Sequence, residues 1–313
     1  MNFQQLRYVR EAVRQGLNLT EAANRLHTSQ PGVSKQILEF ERELGVDIFV
    51  RRGKRLVAVT EPGQAVVKII DRVLLEVDNL RQVGREFKEE QSGVLTIATT
   101  HTQARYALPR VVTDFKRRYP SVHLHLHQGS PPQVAQMALN GEADIAIATE
   151  SLANYPRLLA LPAYTWSHCV VVPLGHPLAG RVSLTLEDLA AHPIVTYDPT
   201  FTGRSRIDEA FAAKELQPEI ALSAIDSDVI KSYVELGLGI GIIASMAFDP
   251  ERDKGLKRIE AGHLFHRNTT RVAIKRGAYL RGFAYQFIEL FSAPLTRSAI
   301  EKALAGEGEQ YEL

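Results

Sequence analysis

Residues 18–63 read NLTEAANRLHTSQPGVSKQILEFERELGVDIFVRRGKRLVAVTEPG, and the spacing of their apolar residues decides the fold of the N-terminal part. A short helix opens at Thr20 as cap, with Glu21 where the helix dipole favours negative charge, and Ala22, Ala23 and Leu26 form a close-packing face. His27 and Thr28 break the run. Thr28 or Ser29 caps a second helix whose first turn holds Pro31, where a missing N–H costs nothing. Val33, Ile37, Phe40 and Leu44 recur at helical spacing and must face a core, which leaves Gln30, Ser34 and Lys35 outward at the N-terminal end that meets base edges. Gly45 stops this helix. Two strand-like pieces, 48–50 and 57–59, then flank Arg51, Arg52, Gly53, Lys54 and Arg55, a basic hairpin suited to phosphate or minor-groove contact. The pattern predicts a winged helix-turn-helix over residues 1–60. Its candidate DNA contacts are Thr28, Ser29, Gln30, Pro31, Ser34, Lys35, Arg51, Arg52, Lys54 and Arg55.

Working outward, Phe3, Leu6, Val9 and Val13 give a first helix that closes the small core. After Thr60 as cap and Pro62 in the first turn, one long helix is expected over 61–88, reaching roughly 40 Å at ~1.5 Å per residue. Val66, Ile70, Val73, Val77 and Leu80 alternate steps of four and three, a heptad seam that two chains would share. A dimer would present two reading helices to two half-sites. Gly84 and the polar stretch 88–92 read as a hinge, so 61–92 is assigned to linker and dimerisation.

Charge follows this division. The whole chain carries +1, but residues 1–60 hold ten Lys or Arg against six Asp or Glu, +4, which leaves −3 for the remainder. A basic head on a mildly acidic body fits local DNA contact rather than general polyanion binding. The lone cysteine, Cys169, lies in the strand-like WSHCVVVP and excludes an internal disulfide or a multi-cysteine metal site. No apolar run approaches the ~18 residues of a membrane span, and MNFQQLRYV is not a leader pattern, so a cytoplasmic protein is expected.

From Gly93 strands and helices alternate: strands near 94–100, 121–129, 143–150, 169–173, 193–197, 219–225, 239–245 and 272–276, with helices near 104–118, 132–139, 205–214, 228–236 and 280–291. This predicts an α/β, largely parallel effector domain over 93–313, periplasmic-binding-protein-like. Lobe I would comprise about 93–161 and 267–313, lobe II about 162–266, with a ligand cleft between them. Residues 305–313 read as a loose tail.

Thr99, Thr100, His101, Thr102 and Gln103 lie between a strand end and a helix start, where hydroxyls and free N–H groups make an anion site without a formal positive charge. Ser130 and Thr149 stand at equivalent strand ends, and Phe201, Thr202, Gly203, Arg204 and Ser205 repeat the chemistry in the second lobe. Any one of these is an ordinary helix cap; four clusters at strand ends point to one crevice. His123, His125 and His127 alternate along one strand, but with no carboxylate or cysteine at ligand spacing they read as a solvated face. Gly237, Gly239 and Gly241 follow a helix and enter a strand, the reverse of a dinucleotide fingerprint, and Asp226 and Asp228 read as caps. No GxSxG, HExxH or phosphate loop is present, so no catalytic residue, metal or cofactor is expected.

Ala22, Ala23, Leu26, Ser29, Gln30, Pro31, Val33, Ser34, Ile37, Glu41, Leu44, Gly45, Phe49, Arg51, Arg55, Thr60 and Gly63 match the N-terminal signature of LysR-type transcriptional regulators, which the chain resembles. TTHTQARYALP from Thr99, HQGSP from His127, IATE from Ile147, FTGRS from Phe201 and DVIKSYVELGLGIGIIASMA from Asp228 resemble the CysB and Cbl branch of that family, whose two types these motifs do not separate. The resemblance implies a cleft for N-acetylserine, O-acetylserine, sulfate or thiosulfate. It places Thr100, Thr102, Gln103, Thr149 and Thr202 on the anion, with Ser130 beside them. It further implies a homotetrameric activator of sulfur uptake and cysteine synthesis genes, partnered by double-stranded promoter DNA and RNA polymerase. The tail is shorter than in the enterobacterial form. A two-lobed solute binder or enzyme is the reading from another class, and it lacks an export signal, nucleophile or cofactor motif.

Overall fold

The computed structural model describes residues 1–88 and 91–306, so residues 89–90 of the expected hinge stretch 88–92 and most of the expected tail, 307–313, lie outside the described residues. The chain forms two compact units, Met1–Arg85 and Glu86–Leu313.

In the first unit α1 (Phe3–Arg14), α2 (Leu19–Arg25) and α3 (Gln30–Leu44) precede the antiparallel hairpin β1 (Phe49–Arg52) and β2 (Arg55–Val59), and α4 (Glu61–Lys88) follows. Leu6, Val9 and Ala12 share one buried cluster with Ala23, Val33, Ile37, Phe40 and Ile48. The cap of α2 is Asn18, whose side chain accepts from Thr20 N and Glu21 N at 3.1 and 3.2 Å, rather than Thr20. Its carboxamide oxygen sits one residue before the helix, where the orphan N–H groups point. Phe3 and Leu44 are exposed, because each stands at the outer end of its helix. Thr60 does cap α4: its hydroxyl donates to Asp47 O at 2.6 Å and accepts from Gly63 N at 2.9 Å.

The expected seam of α4 divides between two faces, with Val66 and Ile70 packed on the head and Val73 and Leu80 exposed. Ile70 and Leu74 belong to the head's own core, and the exposed apolar row is Ile69, Val73 and Leu80. One helix therefore supplies two faces, the inner one packed on its own unit.

The second unit runs β3 (Gly93–Thr99), α5 (Leu108–Arg118), β4 (Val122–Gln128), α6 (Pro131–Asn140), β5 (Ile145–Ala148), β6 (Leu158–Trp166), β7 (His168–Pro173), α7 (Leu186–Ala190), β8 (Ile194–Tyr197), α8 (Thr202–Ala212), β9 (Ile220–Ala224), α9 (Ser227–Glu235), β10 (Ile240–Ala244), β11 (Leu256–Glu260), β12 (Asn268–Lys275), α10 (Gly282–Phe291) and α11 (Arg297–Ala305). Two five-stranded sheets result, in the orders β4-β3-β5-β12-β6 and β11-β7-β10-β8-β9. They are mixed, not largely parallel: β3 is parallel to β4 and β5, while β12 is antiparallel to β5 and β6, and β7 is antiparallel to β10 and β11. The reason is that β12 arrives from the other lobe instead of through a helical crossover, so nothing forces it parallel.

The chain crosses between lobes later than expected. β6 stays paired with β12 as far as Trp166 and Asn268, so the crossing is Ser167 and the return falls just before Asn268. Phe115 and Phe287 centre the first lobe's core, and Ile207, Phe211 and Ile242 the second's. Gly239, with φ 158°, lies where a Cβ would meet the Pro193 carbonyl oxygen at 2.1 Å, so this turn into β10 admits only glycine. The three histidines of β4 are exposed on an edge strand, where Val122 alone is buried. Among the described residues no helix is long and apolar enough to cross a membrane.

Candidate functional site

Two regions of the chain gather the expected residues. On the first unit, Ser29 caps α3, its hydroxyl accepting from Gly32 N at 3.3 Å, and thereby directs the first turn outward. Gln30, Pro31, Ser34 and Lys35 line a hollow of about 520 Å³ whose far wall is the wing, Arg51, Gly53 and Lys54. A second hollow of about 430 Å³ joins Gln30 to Lys54, Arg55 and residues 16–20. Arg52, Lys54 and Arg55 are exposed, as is Thr28, which borders neither hollow.

Arg51, which lines the first hollow, also makes an internal ion pair. Its Nη2 lies 3.0 Å from Oε2 of Glu41, a buried carboxylate whose Oε1 also accepts from Ile48 N at 2.9 Å and Phe49 N at 3.0 Å. Glu41 thus clamps the start of the wing to α3. It stands four residues after Ile37, on the core-facing side, and an acidic residue at an inward position was the available signal.

In the second unit β3 ends at Thr99, and residues Gln103–Ala107 form a π-helical turn ahead of α5. Such wide turns re-aim side chains. Thr100, Thr102 and Gln103 meet Thr149 at the end of β5 and Thr202 at the start of α8 around one cavity, completed by Pro131, Trp166, Tyr197, Phe201 and Gly203. The Thr149 hydroxyl donates to Thr202 Oγ1 across the cleft at 2.6 Å. About 30 Å³ is open to a water's centre, room for roughly two waters. Among the described residues that line it, none carries a formal charge. The polar wall consists of hydroxyls together with the start of α8, where Phe201 offers no side-chain cap.

Two expectations change here. Ser130 does not reach the cavity: it sits ahead of α6 in a local exchange with Gln133, whose Oε1 accepts from Ser130 N at 2.9 Å and from its hydroxyl at 3.2 Å. The neighbouring Pro131 lines the wall instead. Gln103 does line the cavity, but its amide is occupied, donating to Thr270 Oγ1 at 3.1 Å and accepting from the Tyr164 hydroxyl. It braces the wall.

Behind the wall, the bonds of Tyr197 and the burial of His168 are features that motif reasoning did not single out. Tyr197 OH is 2.7 Å from Ser227 Oγ and accepts from Ala244 N at 2.8 Å, tying the cavity to the start of α9 and the end of β10. His168 is fully buried between Trp166 and Phe265, and neither ring nitrogen makes a hydrogen bond of normal geometry. Burial pulls its pKa down to about 4, against a small opposing pull from the Gly203 backbone, so the ring is neutral. A Cβ on Gly203 would sit 3.2 Å from His168 Nε2 and 3.4 Å from Trp166, which leaves little space for any larger residue where α8 enters. Cys169 is also buried, its thiol pushed up to about 12 by burial, and is a core residue.

Beside the cavity, Asp226 caps α9 by accepting from Val229 N at 2.8 Å, as expected. Asp228 is no cap. It accepts from Tyr106 OH at 2.7 Å and lies 3.3 Å from His101 Nε2 and 3.4 Å from both Arg105 Nε and Lys231 Nζ. Burial alone would raise this carboxyl, but the Tyr106 and His101 hydrogen bonds and the Lys231 and Arg105 charges bring it below its ordinary value. His101, Asp226 and Asp228 stand close enough to share a cation, yet Arg105 and Lys231 already pair with Asp228.

The arrangement of a winged head and a two-lobed cleft agrees with family profiles. That of the bacterial regulatory helix-turn-helix protein, lysR family, matches residues 3–64, and that of the LysR substrate binding domain matches residues 88–294. The chain belongs to the LysR family. LysR regulators bind DNA and small-molecule effectors, and the relatives of this one are transcriptional regulators. It is 60% identical over 300 residues to the HTH-type transcriptional regulator SsuR of Burkholderia cenocepacia, covering 96% of this chain and 97% of that one. It is 56% identical over 313 residues to CysB of the same organism, covering 100% of both. Its second unit is similar to the crystal structure of the cofactor-binding domain of the Cbl transcriptional regulator, at 49% identity and TM-score 0.66, over 69% of this chain and 94% of that one.

Proposed function

We propose that this LysR regulator controls sulfur-assimilation and cysteine-synthesis genes, and that its effector is a small oxyanion or acetylserine held between the lobes. The observation that carries the reading is the convergence of Thr100, Thr102, Thr149 and Thr202 with the uncapped start of α8 on a cavity that no charged side chain lines. Neutral donors of this kind hold a buried anion without requiring a fixed cation to be desolvated. The Thr149–Thr202 hydrogen bond spans the cleft, and both hydroxyls can turn to ligand oxygens. N-acetylserine, O-acetylserine, sulfate and thiosulfate all present an anionic oxygen group to such donors.

Operator DNA is read by Gln30 and Ser34, with Thr28, Ser29, Pro31 and Lys35 around them, while Arg52, Lys54 and Arg55 meet phosphates. The exposed row Ile69, Val73 and Leu80 of α4 supports pairing of two chains, and a homotetramer working with RNA polymerase in the cytoplasm is the assembly proposed. Effector binding acts by favouring one packing of the subunits, which alters head spacing and DNA bend.

Fluorescence anisotropy on the promoter of a sulfate-assimilation operon, at fixed salt, with and without N-acetylserine, tests the reading. A shift in affinity or footprint on addition is expected. Specific binding indifferent to N-acetylserine but responsive to sulfate or thiosulfate moves the role to sulfur-starvation genes of the Cbl and SsuR kind. Absence of specific binding overturns the regulon.

A further inference from the structure

We propose that Asp228 is a positioning residue for the cleft. It ties the segment carrying Thr100, Thr102 and Gln103 to the second lobe, and so sets how far the lobes close, without itself lining the cavity. The inference rests on the cleft being the effector site.

Three of the four partners of this carboxylate, His101, Arg105 and Tyr106, come from the turn between β3 and α5, while Asp228 belongs to the first turn of α9 in the other lobe. The cavity residues Thr100, Thr102 and Gln103 are interleaved with them in sequence. The π-helical turn lets residues so close along the chain face two ways, some into the cavity and some across to α9. A change at one face is therefore a change at the other. α9 is coupled to the same cavity from behind, because Tyr197 lines the wall and binds Ser227, the residue before Asp228.

The charge balance shows why the tie is separable from folding. Lys231 remains satisfied without Asp228, since its Nζ lies 2.9 Å from Asp253 and donates to Ala247 O at 2.8 Å. The Arg105 side chain is 44% exposed and can turn to water. Asp226 keeps the cap of α9. Removing the charge at residue 228 thus weakens the tie, with Lys231 Nζ still donating to Tyr106 OH at 3.2 Å, while leaving each lobe's own packing in place.

Partly exposed pairs of this kind are individually weak, so the expected effect is a change of about threefold to tenfold in effector affinity rather than its loss. The direct readout needs no effector. Cys169 is buried, so spin labels placed through Val182→Cys on lobe II and His125→Cys on lobe I, both exposed positions, report the separation between lobes. Labelled full-length chain, diluted with unlabelled chain, is compared with the same pair carrying Asp228→Asn, Arg105→Gln or both. Each single substitution should broaden and lengthen the distance distribution, and the double should add little to either, because both break one tie. Inorganic sulfate should bind the Asp228→Asn protein about threefold to tenfold more weakly than the parent. An unchanged distance distribution in Asp228→Asn overturns the proposal, whatever sulfate does. Altered distances in Asp228→Asn, with no sulfate binding by the parent, uphold the tie and remove sulfate as the ligand.

Discussion

On the head, Arg52, Lys54 and Arg55 stand exposed on a hairpin, whereas the cavity of the second unit sets threonine hydroxyls among apolar residues, with no charged side chain among the described residues that line it. Both surfaces suit anions, and they use opposite physics. Exposed cations attract a polyanion at long range and lose that attraction to salt. Buried hydroxyls act only in contact, and each one lost leaves a ligand oxygen unpaired, a cost that salt does not screen. The buried carboxylate of Glu41 is the counterpart within the head, a charge kept inside to shape the surface outside.

The largest expected effect tests that counterpart. Glu41→Ala leaves Ile48 N, Phe49 N and the Arg51 guanidinium without their acceptor, a loss of about 3–5 kcal/mol for a broken buried pair. Denaturant titration should show the head unfolding earlier and DNA binding lost, with effector binding retained. Next is His168. Its folded value of about 4 lies below the ordinary 6.5, so between those pH values the unfolded chain takes up a proton that the folded chain refuses. Stability should fall as pH drops through that window, by roughly 3 kcal/mol across it. His168→Phe should flatten the melting temperature between pH 6.5 and 4 relative to the parent, and an unaltered profile would remove the neutral buried ring from the account.

Thr100→Val sharpens the comparison in the cleft: effector affinity should drop by about 1–3 kcal/mol with the salt slope of DNA binding unchanged. The smallest effect belongs to the wing. Lys54→Ala should weaken DNA binding across sequences and reduce the salt slope by about one, with effector affinity unchanged. A crossover, in which either substitution moved the other readout, would break the division between the two surfaces.

Much of this organisation is legible in the sequence because it is local. Val33, Ile37 and Phe40 announce α3 through their spacing, and hydroxyls at strand ends mark the cleft. The strands that pattern reasoning missed, β6 and β11, are both at sheet edges. β6 contains Pro162, tolerated at an edge beside the irregularity in its pairing with β12, and β11 reads LKRIE, too charged to resemble a core strand. Asp228 was unreadable for a different reason. Three of its four partners lie more than a hundred residues away, and nothing in the local pattern separates a cap at residue 226 from a cross-lobe contact at 228. Ser130 shows the converse, a motif match whose hydroxyl is used locally.

The central claim is that neutral hydroxyls between the lobes hold the effector. Titration calorimetry of N-acetyl-L-serine and of inorganic sulfate into the full-length protein and into Thr202→Val tests it most directly. The account predicts saturable binding of at least one of them to the parent, weakened about five- to 150-fold in the variant, with effector-free DNA affinity intact. Equal affinity in the two proteins would contradict it and move the effector site out of this cleft.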